Sequence, residues 1–144
     1  MRSLLALSLI ACAHTPPTSP RPELGGVVLS VAAETVVNDP ILAGPGAELR
    51  QALAKALAAE GFRVAESGGL TVVTSIDYSP WTPVSAGSIY IVVGLKNGGE
   101  SVDQVELQRI NEGFPEPAKV AELAHALAHA LATSPRLRDY LATK

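Results

Sequence analysis

The segment LRQALAKALAAEGFRV, residues 49–64, carries a complete helix signal followed by the start of a strand. Its leucines recur every four residues and therefore share one face of a helix, which we predict over residues 46–60. They are Leu49, Leu53 and Leu57. Gly61 follows the last turn, and glycine readily adopts the left-handed conformation that ends many helices. The predicted helix has one apolar face, which other elements must cover.

Alternating and β-branched residues predict about four strands around this helix. They lie at residues 27–37, 70–78, 88–96 and 101–110, with a short extended piece at residues 62–65. Asn97-Gly98 predicts a tight hairpin between the last two strands. The alternation shifts after Val102, which predicts a bulge near Asp103.

A second amphipathic helix is predicted at residues 117–133. Its apolar stripe consists of Val120, Leu123, Ala124, Leu127, Ala128 and Leu131. Ser134 and Pro135 suit an N-cap and a first helical position, so a short last helix is predicted at residues 136–141. The predicted fold class is α+β, a mostly antiparallel sheet of about four strands in the order β-α-β-β-β-α with two helices on one face. One domain is predicted to occupy residues 27–144.

Length and composition exclude several classes of protein. A chain of 144 residues accommodates one domain, and its hydrophobic content of 47% is too high for a disordered chain. The net charge of −3 provides no basic excess for a nucleic-acid partner. The single cysteine excludes a disulfide framework and a multi-cysteine zinc site. G-x-S-x-G, P-loop and G-x-G-x-x-G motifs are absent, so we predict no catalytic residue, no enzyme activity and no cofactor.

The N-terminus has the pattern of a secretory signal peptide at residues 1–11. Arg2 provides the positive charge, and the apolar run LLALSLIA is far shorter than the roughly 20 residues of a membrane-spanning helix. The run ends at the small residue Ala11, directly before Cys12, the only cysteine. We therefore predict cleavage between Ala11 and Cys12. Cleavage elsewhere, which would give a secreted soluble protein, stays open.

The tetrapeptide Leu9-Ile10-Ala11-Cys12 resembles the bacterial lipobox. The resemblance implies that Cys12 becomes the new N-terminus and carries acyl chains that anchor the protein in a membrane. Ala13, in place of an aspartate, by the same resemblance favours the outer membrane, with the domain facing the periplasm. Residues 12–26 are rich in proline and are predicted to form an extended linker.

The whole pattern is similar to a class of small bacterial envelope lipoproteins. These proteins combine a lipobox, a proline-rich linker and a helix that ends in a segment like Leu57–Val64 of this chain. The lipopolysaccharide-assembly lipoprotein and the auxiliary lipoproteins of lipid transporters belong to this class. The resemblance implies a non-catalytic accessory that binds another envelope protein. Two alternatives stay open: a small-ligand or glycan carrier with a pocket between helices and sheet, and a metal-binding protein.

Aromatic residues are the candidate partner or ligand contacts. Tyr78, Trp81 and Tyr90 flank the proline-containing loop at residues 79–87. Tyrosine and tryptophan anchor many recognition surfaces because they bury a large area at a low cost in conformational entropy. The alternative is that these side chains only cover the open end of the sheet.

The metal hypothesis depends on Glu122, His125 and His129, which share one face of the second predicted helix, away from its apolar stripe. The sequence HALAH lacks the internal glutamate of the metalloprotease motif H-E-x-x-H, and no further strong ligand is evident. We therefore predict no metal site and keep these residues as weak candidates. Asp77 and Asp103 are predicted to lie on solvated strand faces.

Overall fold

A computed structural model describes residues 22–80, 82–84, 86–110 and 117–144. Within these residues the chain forms one five-stranded sheet, composed of β1 Val28–Val37, β2 Arg63–Ala65, β3 Leu70–Ser79, β4 Ser88–Asn97 and β5 Glu100–Ile110. The α-helices are α1 Ala43–Glu60, α2 Pro117–Ala132 and α3 Pro135–Ala142. Short 3-10 turns at Pro22–Leu24 and Pro40–Leu42 precede β1 and α1. The predicted helices and the four long strands are thus confirmed, with small differences at their ends.

The sheet is mixed, with the strand order β2-β1-β3-β4-β5. β1 runs parallel to β2 and β3, whereas β3, β4 and β5 are antiparallel neighbours. The α+β class is confirmed, but the number of strands is five, and only half of the pairings are antiparallel. The reason is that α1 is a crossover helix, which returns the chain to the end of the sheet where β1 began. The extended piece predicted at residues 62–65 becomes the edge strand β2.

Both long helices pack against one face of the sheet. The largest side chains buried between them and the sheet are Leu49, Leu53, Leu57, Leu123, Leu127 and Leu131 from the helices, and Ile76, Ile89, Ile91 and Leu95 from the strands. Each such side chain contributes about 1.5–3 kcal/mol when it leaves water, so this layer is the main source of stability. The other face of the sheet carries no helix among the described residues.

The two ends of the sheet carry different parts of the chain. We name the end where the turn Pro22–Leu24 leads into β1 the proximal end, and the opposite end the distal end. The proximal end also carries the β4–β5 hairpin and the last turn of α1. The distal end carries the turn Pro40–Leu42, residues 82–84 between β3 and β4, and the last residue of β5.

The N-terminal predictions meet the structure only at residues 22–26, where Pro22–Leu24 form a 3-10 turn in place of the predicted extended linker. Leu24 is buried in the core, although the sequence placed it in the linker of residues 12–26. The folded part of the chain therefore includes the end of that segment. The predicted signal peptide, the cleavage between Ala11 and Cys12 and the lipidation of Cys12 lie outside the described residues.

The predicted hairpin and bulge are both present. Gly98 lies in the β4–β5 turn with φ of +62°, and the register of β4 and β5 shifts between Leu95 and Lys96, opposite Asp103. The prediction that Asp103 is solvated is wrong, because its exposed fraction is 2%. At the bulge its Oδ1 accepts a hydrogen bond from the backbone N–H of Gln104 at 2.8 Å. A second register shift, in β1 between Val31 and Thr35, has no signal in the sequence.

Two adjacent glycines at the start of β3 provide a test of this geometry. A Cβ atom on Gly69 would lie 2.0 Å from the carbonyl oxygen of Val28, whereas a Cβ atom on Gly68 would meet nothing within 4 Å. Both glycines have positive φ, so each substitution by alanine carries a backbone cost of about 1–2 kcal/mol. We expect Gly69→Ala to lower the free energy of unfolding by more than about 3 kcal/mol, and Gly68→Ala by the backbone cost alone. Urea unfolding of the two variants measures the difference, and equal losses would contradict the close approach of Gly69 to β1.

Candidate functional site

The structure separates the two described tyrosines of the predicted aromatic group. Tyr78 pairs with Ile89 on the helix-covered face and packs against the core, whereas Tyr90 pairs with Asp77 on the opposite face. Trp81 lies outside the described residues. Tyr78 and Tyr90 therefore do not form one surface, and any contact with a partner would involve them separately.

Tyr90 belongs to what we call the open face, the face of the sheet opposite the helices. In β3 and β4 this face consists of Thr71, Val73, Ser75 and Asp77, with their partners Lys96, Gly94, Val92 and Tyr90. Small side chains occupy its middle, and none of the described helices covers it. Asp77 and Lys96 are exposed on this face, whereas Val73, Ser75 and Val92 are partly exposed.

An acidic cluster lies on the open face around Tyr90. The Tyr90 hydroxyl donates a hydrogen bond to Glu106 on β5, and Asp77 lies directly across from Tyr90 on β3. The hydrogen bond to Glu106, the partial loss of water around the ring and the negative charges of Glu106 and Asp77 together raise the pKa of Tyr90 above its usual value of 10.0. The phenol therefore stays neutral as a hydrogen-bond donor, and the cluster presents two carboxylates to a cationic group.

The distal half of the sheet carries all of the large apolar side chains that are strongly exposed among the described residues, with Val36 on the open face beside Ser75 and the other three at the distal end. They are Val36 at 72%, Ile41 at 60%, Val84 at 95% and Ile110 at 61% exposure. Isolated apolar residues are common on protein surfaces, but here they gather in one half of the sheet. The proximal end has none within the described ranges.

Side-chain hydrogen bonds fix the backbone at the distal end. The Asn38 amide bonds the backbone of Tyr78 twice: its Oδ1 accepts from the Tyr78 N–H at 3.0 Å, and its Nδ2 donates to the Tyr78 carbonyl at 3.1 Å. Asp39 caps the next turn by accepting from the N–H of Ile41 at 3.0 Å. Ile41 is therefore presented on an ordered turn, as a contact surface requires.

A buried polar network between β1 and α1 is structural. Arg50 Nη1 donates to Thr35 Oγ1 at 2.8 Å, and Thr35 Oγ1 lies 3.0 Å from Thr74 Oγ1 and 3.2 Å from the carbonyl oxygen of Gly46. A Cβ atom on Gly46 would lie 3.2 Å from the Thr35 Cβ, so glycine lets the helix approach the strand. These partly buried hydrogen bonds hold α1 on the sheet.

His129 of α2 pairs with a residue of α1 and not with a residue of its own helix. Its Nδ1 lies 3.2 Å from Oε1 of Glu60 in α1, and the Glu60 side chain is only 11% exposed. Glu122 and His125 are exposed on α2, in agreement with the predicted direction of that face. No group of three His, Cys, Asp or Glu residues in the described chain is arranged to hold a metal ion. Sequence periodicity could not find Glu60, because its contact depends on how the two helices align.

Cavities in the described chain lie at the surface. The space found between the helices and the sheet measures about 10 Å³, which is room for one water at most. A groove of about 460 Å³ lies between α1 and α2, with Ala52, Ala56 and Ala121 in its floor. A pocket of about 300 Å³ at the proximal end lies between Leu24 and α3. A small-molecule ligand would not fit in the space of about 10 Å³ between the helices and the sheet.

Helices α1 and α2 run in the same direction along this groove. Glu48 and Ala121 line it near the two N-terminal ends, and Glu60 contacts His129 near the two C-terminal ends.

None of the helices in the described residues combines the length and the apolar character that a membrane-spanning helix needs.

Comparison with known proteins gives similarities of fold only. No family model matches the chain, and no curated protein matches it. Among solved structures, the PelC dodecamer from Paraburkholderia phytofirmans is 18% identical, with a TM-score of 0.42 over 80% of this chain and 92% of that one. A DUF330 protein from Xanthomonas campestris is 13% identical, with a TM-score of 0.47 over 88% and 92%. A minor lipoprotein from Acinetobacter baumannii is 12% identical, with a TM-score of 0.44 over 73% and 91%.

A likeness at this level is one of general outline and transfers no activity, partner or assembly to this chain.

The acidic cluster predicts how Tyr90 titrates. We expect Glu106→Gln to lower the pKa of Tyr90 toward its usual value, because the substitution removes the charged acceptor and its field. Asp77→Asn should lower it less, since Asp77 acts only through its charge. The ultraviolet absorbance of tyrosinate, followed against pH with Tyr90→Phe as the reference, isolates this residue from the other tyrosines. A larger effect from Asp77→Asn than from Glu106→Gln would contradict the hydrogen bond.

Proposed function

We propose that the protein is a lipid-anchored accessory of the bacterial cell envelope, held at the outer membrane and facing the periplasm. Its role is to bind another envelope protein, and it performs no catalysis. Support for the anchor comes from the signal pattern and from Cys12 in the lipobox-like tetrapeptide. Acyl chains on that sulfur, such as palmitate, would hold the chain at a bilayer surface.

The observation that carries the binding role is the position of the exposed apolar residues. The linker joins the domain at the proximal end, whereas Ile41 and Val84 stand at the distal end. The strands between the two ends are ten residues long, or about 33 Å. A partner bound at the distal end would therefore lie well away from the anchoring bilayer. Exposed apolar groups of this kind gain the most free energy when a protein surface covers them.

Two acidic side chains of low exposure in the described chain already have structural surroundings. Asp103 is buried beside the bulge of β5, where no substrate reaches it. Glu60 is engaged with His129 between two helices. Neither acid lies in a cavity beside a nucleophile, and a general acid or base must come within hydrogen-bond reach of its substrate.

A second candidate function is that of a small-ligand carrier. The observation in its favour is the pocket of about 300 Å³ at the proximal end, whose floor contains the buried residues Leu24 and Leu137. This volume is at the lower limit of ligand sites. A carrier would bind its ligand in the proximal pocket and leave the distal end free. This difference in location distinguishes a carrier from the proposed protein-binding accessory.

Site-specific photo-crosslinking in the producing cell tests the proposal. A crosslinking side chain at Val84 or Ile41 is expected to capture one protein in a fixed ratio. The same group at Lys144, which lines a proximal surface beside Gly26, is the matched control and should capture none. In a chain that carries the crosslinker at Ile41, Val84→Asp should reduce the yield at least fivefold, because a charge enters the apolar contact. Equal capture from Lys144, or no effect of Val84→Asp, would contradict a distal binding site.

The anchor is tested separately by Cys12→Ser. We expect this change to abolish incorporation of labelled palmitate and to release the protein from the membrane fraction, since no other acyl attachment is proposed. Retention in the membrane without the label would contradict anchoring through this sulfur and leave the distal site untouched.

A further inference from the structure

Charges on the open face are segregated along the strands. Among strand residues on this face with a defined register, the basic ones are Arg63, beside Val28, and Lys96, beside Thr71. Both lie toward the proximal end. The acidic ones are Asp77, which lies across from Tyr90 toward the distal end, and Glu106, which lies across from Val92 and closer to the middle. The face therefore has a positive half and a negative half.

On β3 and β4 the middle of the open face is uncharged and nearly flat, whereas on β5 Glu106 lies beside Val92. The uncharged middle consists of Val73 and Ser75 on β3 and of Gly94 and Val92 on β4. A Cβ atom on Gly94 would lie 3.1 Å from the Val73 side chain, so this glycine lets Val73 lie flat over its neighbour. Flat faces of this kind allow two sheets to stack about 10 Å apart with their strands nearly aligned.

We propose that the open face is a self-association surface, on which a second copy of the chain stacks with its strands in the opposite direction. A two-fold axis across the strands, between Val92 and Gly94, places the positive half of each copy on the negative half of the other. On β4, Lys96 and Tyr90 lie at similar distances on either side of that axis. Each Lys96 then falls over the partner's Tyr90, beside the partner's Asp77 and diagonal to the partner's Glu106.

A second copy fits this face better than an unrelated partner because the pattern is self-complementary. In an isologous dimer the same patch serves both sides, so each charge must meet an opposite charge on an identical surface. Lys96 satisfies this condition, since the acidic cluster places two carboxylates and an aromatic ring together. Opposite charges facing across an interface fix the register and direction of the two copies.

The available area suits a stable dimer. Four long strands with a spacing of about 4.8 Å and a length of about 33 Å give a face of roughly 600 Å² per copy. Together the two copies would bury about 1,200 Å², the lower end of the range for specific interfaces. Val36, which lies beside Ser75 on this face, is 72% exposed in the single chain and would lose contact with water.

Anchoring and stacking are compatible, although the dimer does not depend on the anchor. The two copies would have their proximal ends at opposite ends of the pair. Pro22 follows Cys12 by ten residues, a stretch that spans at most about 35 Å. That reach matches the strand length of about 33 Å, so both chains could start from one bilayer. The distal end of each copy then lies beside the proximal end of the other, and the separation of the distal end from the bilayer holds for the single chain.

Charge exchange between two variants tests the proposal. The full-length chain carries Cys12→Ser in every sample, so that neither lipid nor a thiol joins two copies. Sedimentation equilibrium is expected to show a dimer, and Lys96→Glu and Asp77→Lys should each raise its dissociation constant at least tenfold. Lys144→Glu, an equal charge change outside the open face, is the control and should leave it unchanged.

An equimolar mixture of the Lys96→Glu and Asp77→Lys variants gives the decisive result. The mixed dimer has two charge contacts between residues 96 and 77 of opposite copies. One contact then pairs Glu at position 96 with Lys at position 77, and the other has the original residues. Dimers should therefore return. A monomeric parent chain, an equal effect of Lys144→Glu, or a mixture that stays monomeric would each overturn the stacked dimer. Circular dichroism of each variant verifies that a loss of association is not a loss of fold.

Discussion

One-sided burial is the constraint on which the rest of this structure depends. The leucines of α1 and α2 cover one face of the sheet, and the residues that alternate with its core-facing side chains form an open face. On β3, Ile76 is 2% exposed, whereas its neighbour Asp77 is exposed. The same alternation that builds the core therefore creates a second surface, which is available for contacts with other molecules.

The crossover through α1 gives this layered structure two distinct ends. Because β1 is parallel to β2 and β3, the chain enters at one end and presents the turn after β1 at the other. Asn38 and Asp39 hold that turn in place through hydrogen bonds to the backbone. A lipid anchor before Pro22 and an apolar surface around Ile41 are thus separated by the length of the strands. The proposed envelope role follows from this separation.

The sequence predicted the parts of the fold that depend on local patterns. The spacing of Leu49, Leu53 and Leu57 and the glycine at position 61 define α1, and Asn97-Gly98 marks the hairpin. The strand order was beyond reach, because the pairing of β1 with β2 and β3 depends on contacts between distant segments. The alternation alone contained the signal that Tyr78 and Tyr90 face opposite ways, since Tyr78 lies two residues after the buried Ile76 and Tyr90 lies one residue before the buried Ile91. The burial of Asp103 and the pairing of Glu60 with His129 arise only from how the helices and the bulge pack together.

The reactivity of thiols placed at adjacent residues of β3 shows whether the helices cover only one face of the sheet. In a chain with Cys12→Ser, single cysteines replace Asp77 or Ile76, at protein concentrations too low for self-association. We expect a cysteine at position 77 to react with a maleimide at nearly the rate of a free thiol. A cysteine at position 76 should react at least a hundredfold more slowly. Similar rates at both positions would contradict a sheet with one covered face and one open face.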